Sequence, residues 1–116
     1  MTFKKINENK SKLVRDKIPE FLSEQDLSKI STLEESDSFK YYLIKKLFEE
    51  TNELLSVLDI ENHEADELLY ELSDLYEVLD TICQTYNVSK DQLRTFQEIK
   101  RTQKGAFEKK LILDNS

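Results

Sequence analysis

The sequence predicts an all-α fold, a helical bundle of about four helices per chain completed by dimerisation, and three observations lead there. Two long stretches repeat apolar residues three and four apart, the period of an amphipathic helix. Only one Gly and one Pro occur in 116 residues, too few for the turns that an all-β sandwich or barrel needs. Charged residues make up 35% of the chain and apolar ones 38%, which suits amphipathic helices around a modest core. At this length folding hides about two thirds of the unfolded surface. No repeat, low-complexity run or linker divides the sequence, so a single domain over 1–116 is expected.

Taken in order, "LVRDKIPEFL" predicts a short helix capped by Asp16 or a near neighbour, with Pro19 in its first turn, where proline is tolerated. From Ser23 to Ser36 the sequence is polar and irregular in period, and reads as loop. Asp37 is placed to cap a second helix from about Ser38 to Leu58, since "SFKYYLIKKLFEETNELLSVL" holds helical period without a breaker. After a turn at "DIENHE", a third helix runs from about Glu64 to Tyr86, with Leu68, Leu72, Leu75, Leu79, Ile82 and Tyr86 alternately four and three apart. Ser89 and Gln92 form a capping-box pair opening a fourth helix that ends near Gly105. The tail "AFEKKLIL" is apolar enough to pack against something.

Both long helices carry more than one apolar stripe. Beside Leu43, Leu47, Leu54 and Val57, a second line of Ile44, Phe48 and Leu55 faces elsewhere, and Leu69 and Tyr76 do the same on the third helix. Arcs this wide need neighbours on two sides, which a second copy of the chain would supply. A self-sufficient monomeric bundle is the alternative.

The net charge of −7 argues against a nucleic-acid polymer as partner, because such binding rests on a basic patch. Phosphorylated small molecules stay compatible where a cation bridges them to carboxylates. The opening "MTFKKINENKSK" leads into no apolar run, so neither a signal peptide nor a membrane span is expected and a cytoplasmic location is the default. The lone Cys83 lies in the apolar stretch "LDTICQTY" and is expected as a buried, inert thiol.

One feature breaks the helical pattern. In "LFEETNELL", Glu50 projects among Leu43, Leu47, Leu54 and Val57, where another leucine would fit, and Glu53 lies at the stripe's margin beside Lys46. On the third helix Glu71 and Asp74 flank the leucine stripe, with Val78 between them in projection. With 15 Glu and 9 Asp in the chain, the Glu-x-x-Asp spacing alone is weak; it recurs at Glu77 and Asp80, which project away from the stripe. Position is the stronger signal. Four carboxylates meeting at a partly buried seam repel one another unless protonated or neutralised. A hard divalent cation such as Mg²⁺, or Mn²⁺ in its place, suits an all-oxygen site, and a salt-bridge network with Lys45, Lys46 or an arginine is the alternative.

The run "EETNE" at Glu49 to Glu53, followed after 17 intervening residues by "ELSD" at Glu71 to Asp74, resembles the E-E-x-x-E and E-x-x-D signature of the MazG-like all-α nucleoside triphosphate pyrophosphohydrolases. The block "KLVRDKIPE" from Lys12 and the run "KGAFEKKLIL" to Leu113 are similar to the terminal blocks of a compact branch related to phosphoribosyl-ATP pyrophosphohydrolase. Where that last block often carries a Gly pair after an Arg, this chain has Lys104, Gly105 and Ala106. The resemblance implies Glu50, Glu53, Glu71 and Asp74 as Mg²⁺ ligands, and Glu49 as the residue that orients or deprotonates water. It implies cleavage between the α and β phosphates of a nucleoside triphosphate, giving a monophosphate and pyrophosphate. Arg15, Lys17, Lys46, Arg101 and Lys104 are the candidate phosphate-binding cations, and Phe21, Tyr41, Tyr42 and Phe107 could stack on a base, though core packing is the commoner fate. His63 matches no motif position and is expected in solvent. A non-catalytic interaction module and a phosphoribosyl-ATP hydrolase are the competing readings, and a homodimer or dimer of dimers is the expected assembly.

Overall fold

The structure, a computed structural model, describes residues 10–61 and 64–115, so His63 lies outside the described residues. All regular structure among them is helical. A 3₁₀ turn, Ile18–Phe21, comes first, followed by the one-turn helix α1 (Glu24–Leu27) and the long helices α2 (Ser36–Leu58) and α3 (Ala65–Thr85). The last is α4 (Lys90–Lys104). No described helix is long and apolar enough to cross a membrane. Two compact units are distinguished, Met1–Ile82 and Cys83–Ser116, with the boundary inside α3.

Two helix starts depart from the sequence reading, at Asp16 and Asp37. Lys17, not Asp16, precedes the 3₁₀ turn, and it supplies no side-chain cap; Pro19 does sit in the first turn. The segment expected as loop contains α1, because the Ser23 hydroxyl accepts a hydrogen bond from the Asp26 amide at 3.2 Å. Helix α2 begins at Ser36 behind Glu35, so Asp37 falls within the first turn, where its charge favours the helix dipole without capping. Helix α3 ends in a Schellman arrangement: Val88 N–H donates to the Cys83 carbonyl at 2.8 Å and Asn87 takes φ 57°, the left-handed conformation that asparagine tolerates. The capping box on α4 is present as expected, with the Gln92 amide donating to Ser89 Oγ at 3.0 Å and the Ser89 amide to Gln92 Oε1 at 3.1 Å. Gly105 closes α4 at φ 82°.

In the first unit, Leu43 on α2 is 2% exposed, and Val78 on α3 is buried too. These are the buried apolar side chains among the described residues, so the core is thin. The second apolar faces are largely uncovered: Ile44, Leu55, Leu69 and Tyr76 are exposed, whereas Phe48 is half-buried. In the second unit Phe107 is 96% exposed, and Leu111, Ile112 and Leu113 are exposed as well. The expectation that this tail packs is thus not met within the second unit, where it forms a turn closed by Lys110 N–H to Phe107 O at 3.2 Å. Cys83 is half-buried rather than buried.

Candidate metal centre

The acids predicted from the helical wheel converge. Glu50, Glu53, Glu71 and Asp74 each offer a carboxylate oxygen, and these oxygens lie within 4.8 Å of one another. Two causes bring them together. Spacing of three puts each pair on one face of its helix. Register does the rest: Glu50 and Asp74 are equidistant in sequence from position 62, and so are Glu53 and Glu71, so antiparallel pairing of α2 with α3 about that midpoint of the sequence sets each pair opposite. That symmetry was available in the sequence, as a signal beyond the wheel.

Burial is graded across the cluster. Glu50 is 7% exposed, Glu71 and Asp74 are half-buried, and Glu53 is exposed, which opens the group to solvent on the Glu53 side. Desolvation raises the pKa of Glu50 above the ordinary carboxyl value; the Glu53 charge adds to this, the Lys46 charge and hydrogen bond act against it, and Asp74 reinforces it. Glu71 is likewise raised, first by desolvation, then by the close approach of Glu53, with Asp74 and Glu50 contributing. Both acids are thus held in an environment that penalises their ionisation.

Some positive charge is supplied. Lys46 Nζ lies 3.1 Å from Glu49 Oε2 and 3.4 Å from Glu50 Oε1. Arg15 Nη2 donates to Asp74 Oδ1 at 2.8 Å. What remains decides the character of the site: Glu50 Oε2 and Glu71 Oε2 are buried and have no hydrogen-bond partner. Buried polar atoms nearly always find partners, so two such carboxylate oxygens in one cluster fit a group able to take a cation. An all-carboxylate donor set that keeps one side open fits a hard divalent cation, which retains water or phosphate oxygens in its other positions.

The other expected residues are placed as follows. Glu49 is half-buried and held by Lys46 beside the cluster. Two phosphate candidates, Arg15 and Lys46, are paired with the acids themselves. Lys17 is exposed at the head of the 3₁₀ turn. Arg101 and Lys104 are exposed in the last turn of α4, in the second unit. Lys45, considered as a partner for the acids, is buried and donates to the carbonyl oxygen of Ser11. Glu77 is exposed as expected, but Asp80 is half-buried. Tyr41 and Tyr42 pack edge to face with ring centres 5.1 Å apart, whereas Phe21 and Phe107 are exposed. No protein-family model, curated protein or solved structure matches this chain.

Proposed function

We propose that the protein is a Mg²⁺-dependent nucleoside triphosphate pyrophosphohydrolase that releases a nucleoside monophosphate and pyrophosphate. The observation that carries this reading is the pair of buried, unpartnered oxygens on Glu50 and Glu71, inside a group of four carboxylates that Arg15 and Lys46 only partly neutralise. The resemblance of "EETNE" and "ELSD" to the MazG-like signature supplies the substrate class and the bond cleaved. Bound by Glu50, Glu53, Glu71 and Asp74, Mg²⁺ or Mn²⁺ would offset triphosphate charge, polarise the phosphorus under attack and lower the pKa of water.

The chain's own residues have distinct tasks in this reading. Glu50 and Glu71 would supply desolvated oxygens to the ion, and Glu53 would hold it on the exposed side, from which the phosphates approach. Glu49, oriented by Lys46 at 3.1 Å, is placed to align or deprotonate the attacking water. Lys17 is the remaining candidate cation of the first unit for the phosphates. A second copy covers Ile44, Leu55, Leu69 and Tyr76, in a homodimer or a dimer of dimers. Sedimentation as a monomer at micromolar concentration would remove that part of the proposal.

The deciding experiment incubates purified protein and Mg²⁺ with a panel of ordinary, deoxy and damaged nucleoside triphosphates and with phosphoribosyl-ATP, and measures pyrophosphate. Turnover abolished by Glu50→Gln is the expected result. No turnover across the panel, or turnover indifferent to that substitution, overturns the proposal, and turnover confined to phosphoribosyl-ATP reassigns the substrate. The ion pairs Lys46–Glu50 and Arg15–Asp74, with the exposed apolar side chains, favour a second reading as a non-catalytic interaction module. That reading requires a melting temperature indifferent to Mg²⁺.

A further inference from the structure

Arg15 belongs to a segment without helical period, yet its guanidinium reaches Asp74 on α3 across 59 positions of sequence. The contact is short, 2.8 Å, but the Arg15 side chain is 54% exposed while that of Asp74 is 23% exposed. The pair therefore combines a well-made hydrogen bond with an arginine that can leave into water at little desolvation cost. Asp74 is one of the four acids whose oxygens converge, so an ion bound by all four would sit on the same carboxylate that Arg15 holds, with two positive groups brought together there. Lys46 is different in kind: it sits on α2 with the acids it neutralises, three and four positions away, and is mostly buried.

We infer that Arg15 is the exchangeable counter-ion of the acid cluster, displaced from Asp74 when a divalent cation binds and thereby released to meet the phosphates of the substrate. This rests on the metal-site reading above and adds a residue that couples loading of the site to substrate capture. Guanidinium and metal compete for one carboxylate, so removing the guanidinium strengthens metal binding. A structural salt bridge would have the opposite effect, because its loss would loosen the site.

The test is calorimetric titration of Mg²⁺ and Mn²⁺ into the metal-free full chain, as wild type, Arg15→Gln and Arg15→Lys, without nucleotide. Arg15→Gln should bind about two- to five-fold tighter, the scale of an exposed ion pair that no longer has to be broken. Arg15→Lys, which keeps the charge but loses the planar fork, should fall between. Hydrogen exchange gives a second readout: Mg²⁺ should speed exchange of the Ile18 amide, which donates to the Arg15 carbonyl at 3.0 Å, in wild type but not in Arg15→Gln. Wild type that binds metal while Arg15→Gln binds equally or more weakly overturns the inference and leaves the metal site standing. Absence of binding in both proteins overturns the two together.

Discussion

Replacing Glu50 by Gln should stabilise the metal-free protein and abolish its response to Mg²⁺. The Glu50 oxygen lies within 4.8 Å of one oxygen on each of Glu53, Glu71 and Asp74. At an effective dielectric constant of about 20, two unit charges at that separation repel by about 3.5 kcal/mol. Lys46, at 3.4 Å, returns about 5 kcal/mol on the same scale, less than the three repulsions together. Protonation, solvent at Glu53 and the Arg15 charge relieve part of the difference. A net gain of about 1 to 3 kcal/mol for the neutral amide follows, or about 4 to 12 °C in melting temperature for a chain of this size. Mg²⁺ at one hundred times its Kd should raise the wild-type stability by about 2.7 kcal/mol and leave the variant unchanged. Melting curves by circular dichroism in EDTA and in Mg²⁺ read both effects. A Gln variant that melts below wild type in EDTA and still gains from Mg²⁺ would refute the electrostatic reasoning.

Two further outcomes are expected. Because the folded pKa values of Glu50 and Glu71 are raised above the ordinary value of about 4.3, the folded state binds more protons between the two values, so the stability these groups contribute is fully present below the lower value and lost as pH rises through the higher one. In EDTA the advantage of Glu50→Gln over wild type should therefore be largest at neutral pH and shrink on acidification; a gap that widens toward pH 5 contradicts the assignment. Leu43→Ala, at the most buried apolar position described, should lower stability by about 2 to 5 kcal/mol in urea titration, and a loss below about 1 kcal/mol would place the working core elsewhere.

The long helices were legible in the sequence because periodicity over many residues is redundant: one misplaced side chain does not erase it. Their ends were less so, since a single hydrogen bond decides them. Asp37 offered a capping side chain, but the backbone turned at Glu35, and a helix end with no side-chain cap leaves no mark in composition. The four acids were legible through their place on the wheel, and antiparallel register carried them together. Their cations were legible in part. Lys46 was named as a salt-bridge partner, and it pairs with Glu49 and Glu50 three and four positions on, whereas Lys45 turns elsewhere and Arg15, the arginine that pairs, arrives from an aperiodic segment whose path only tertiary structure fixes. The tail shows the limit of hydrophobicity as a guide: "LIL" at its end predicts burial, but nothing in a sequence says whether the covering surface belongs to the same chain.

Metal ligation and salt bridging were alternatives at the level of sequence, and under the function proposed above they become successive states of one site. A network built for structural purposes would use its cations where desolvation is worst, because an unpaired buried charge costs more than an exposed one. Here the cover is partial. Arg15 serves Asp74, which is partly solvated, and Lys46 serves Glu49 and one oxygen of Glu50, the most buried of the four acids, while the Oε2 atoms of Glu50 and Glu71 go without. Leaving those two oxygens bare destabilises a chain that gains nothing from it, but it suits a site whose remaining charge is supplied from outside. The sign of the Glu50→Gln effect in EDTA separates these two designs, since a structural network loses stability on that substitution and a cation-binding group stripped of its ion by the chelator gains it.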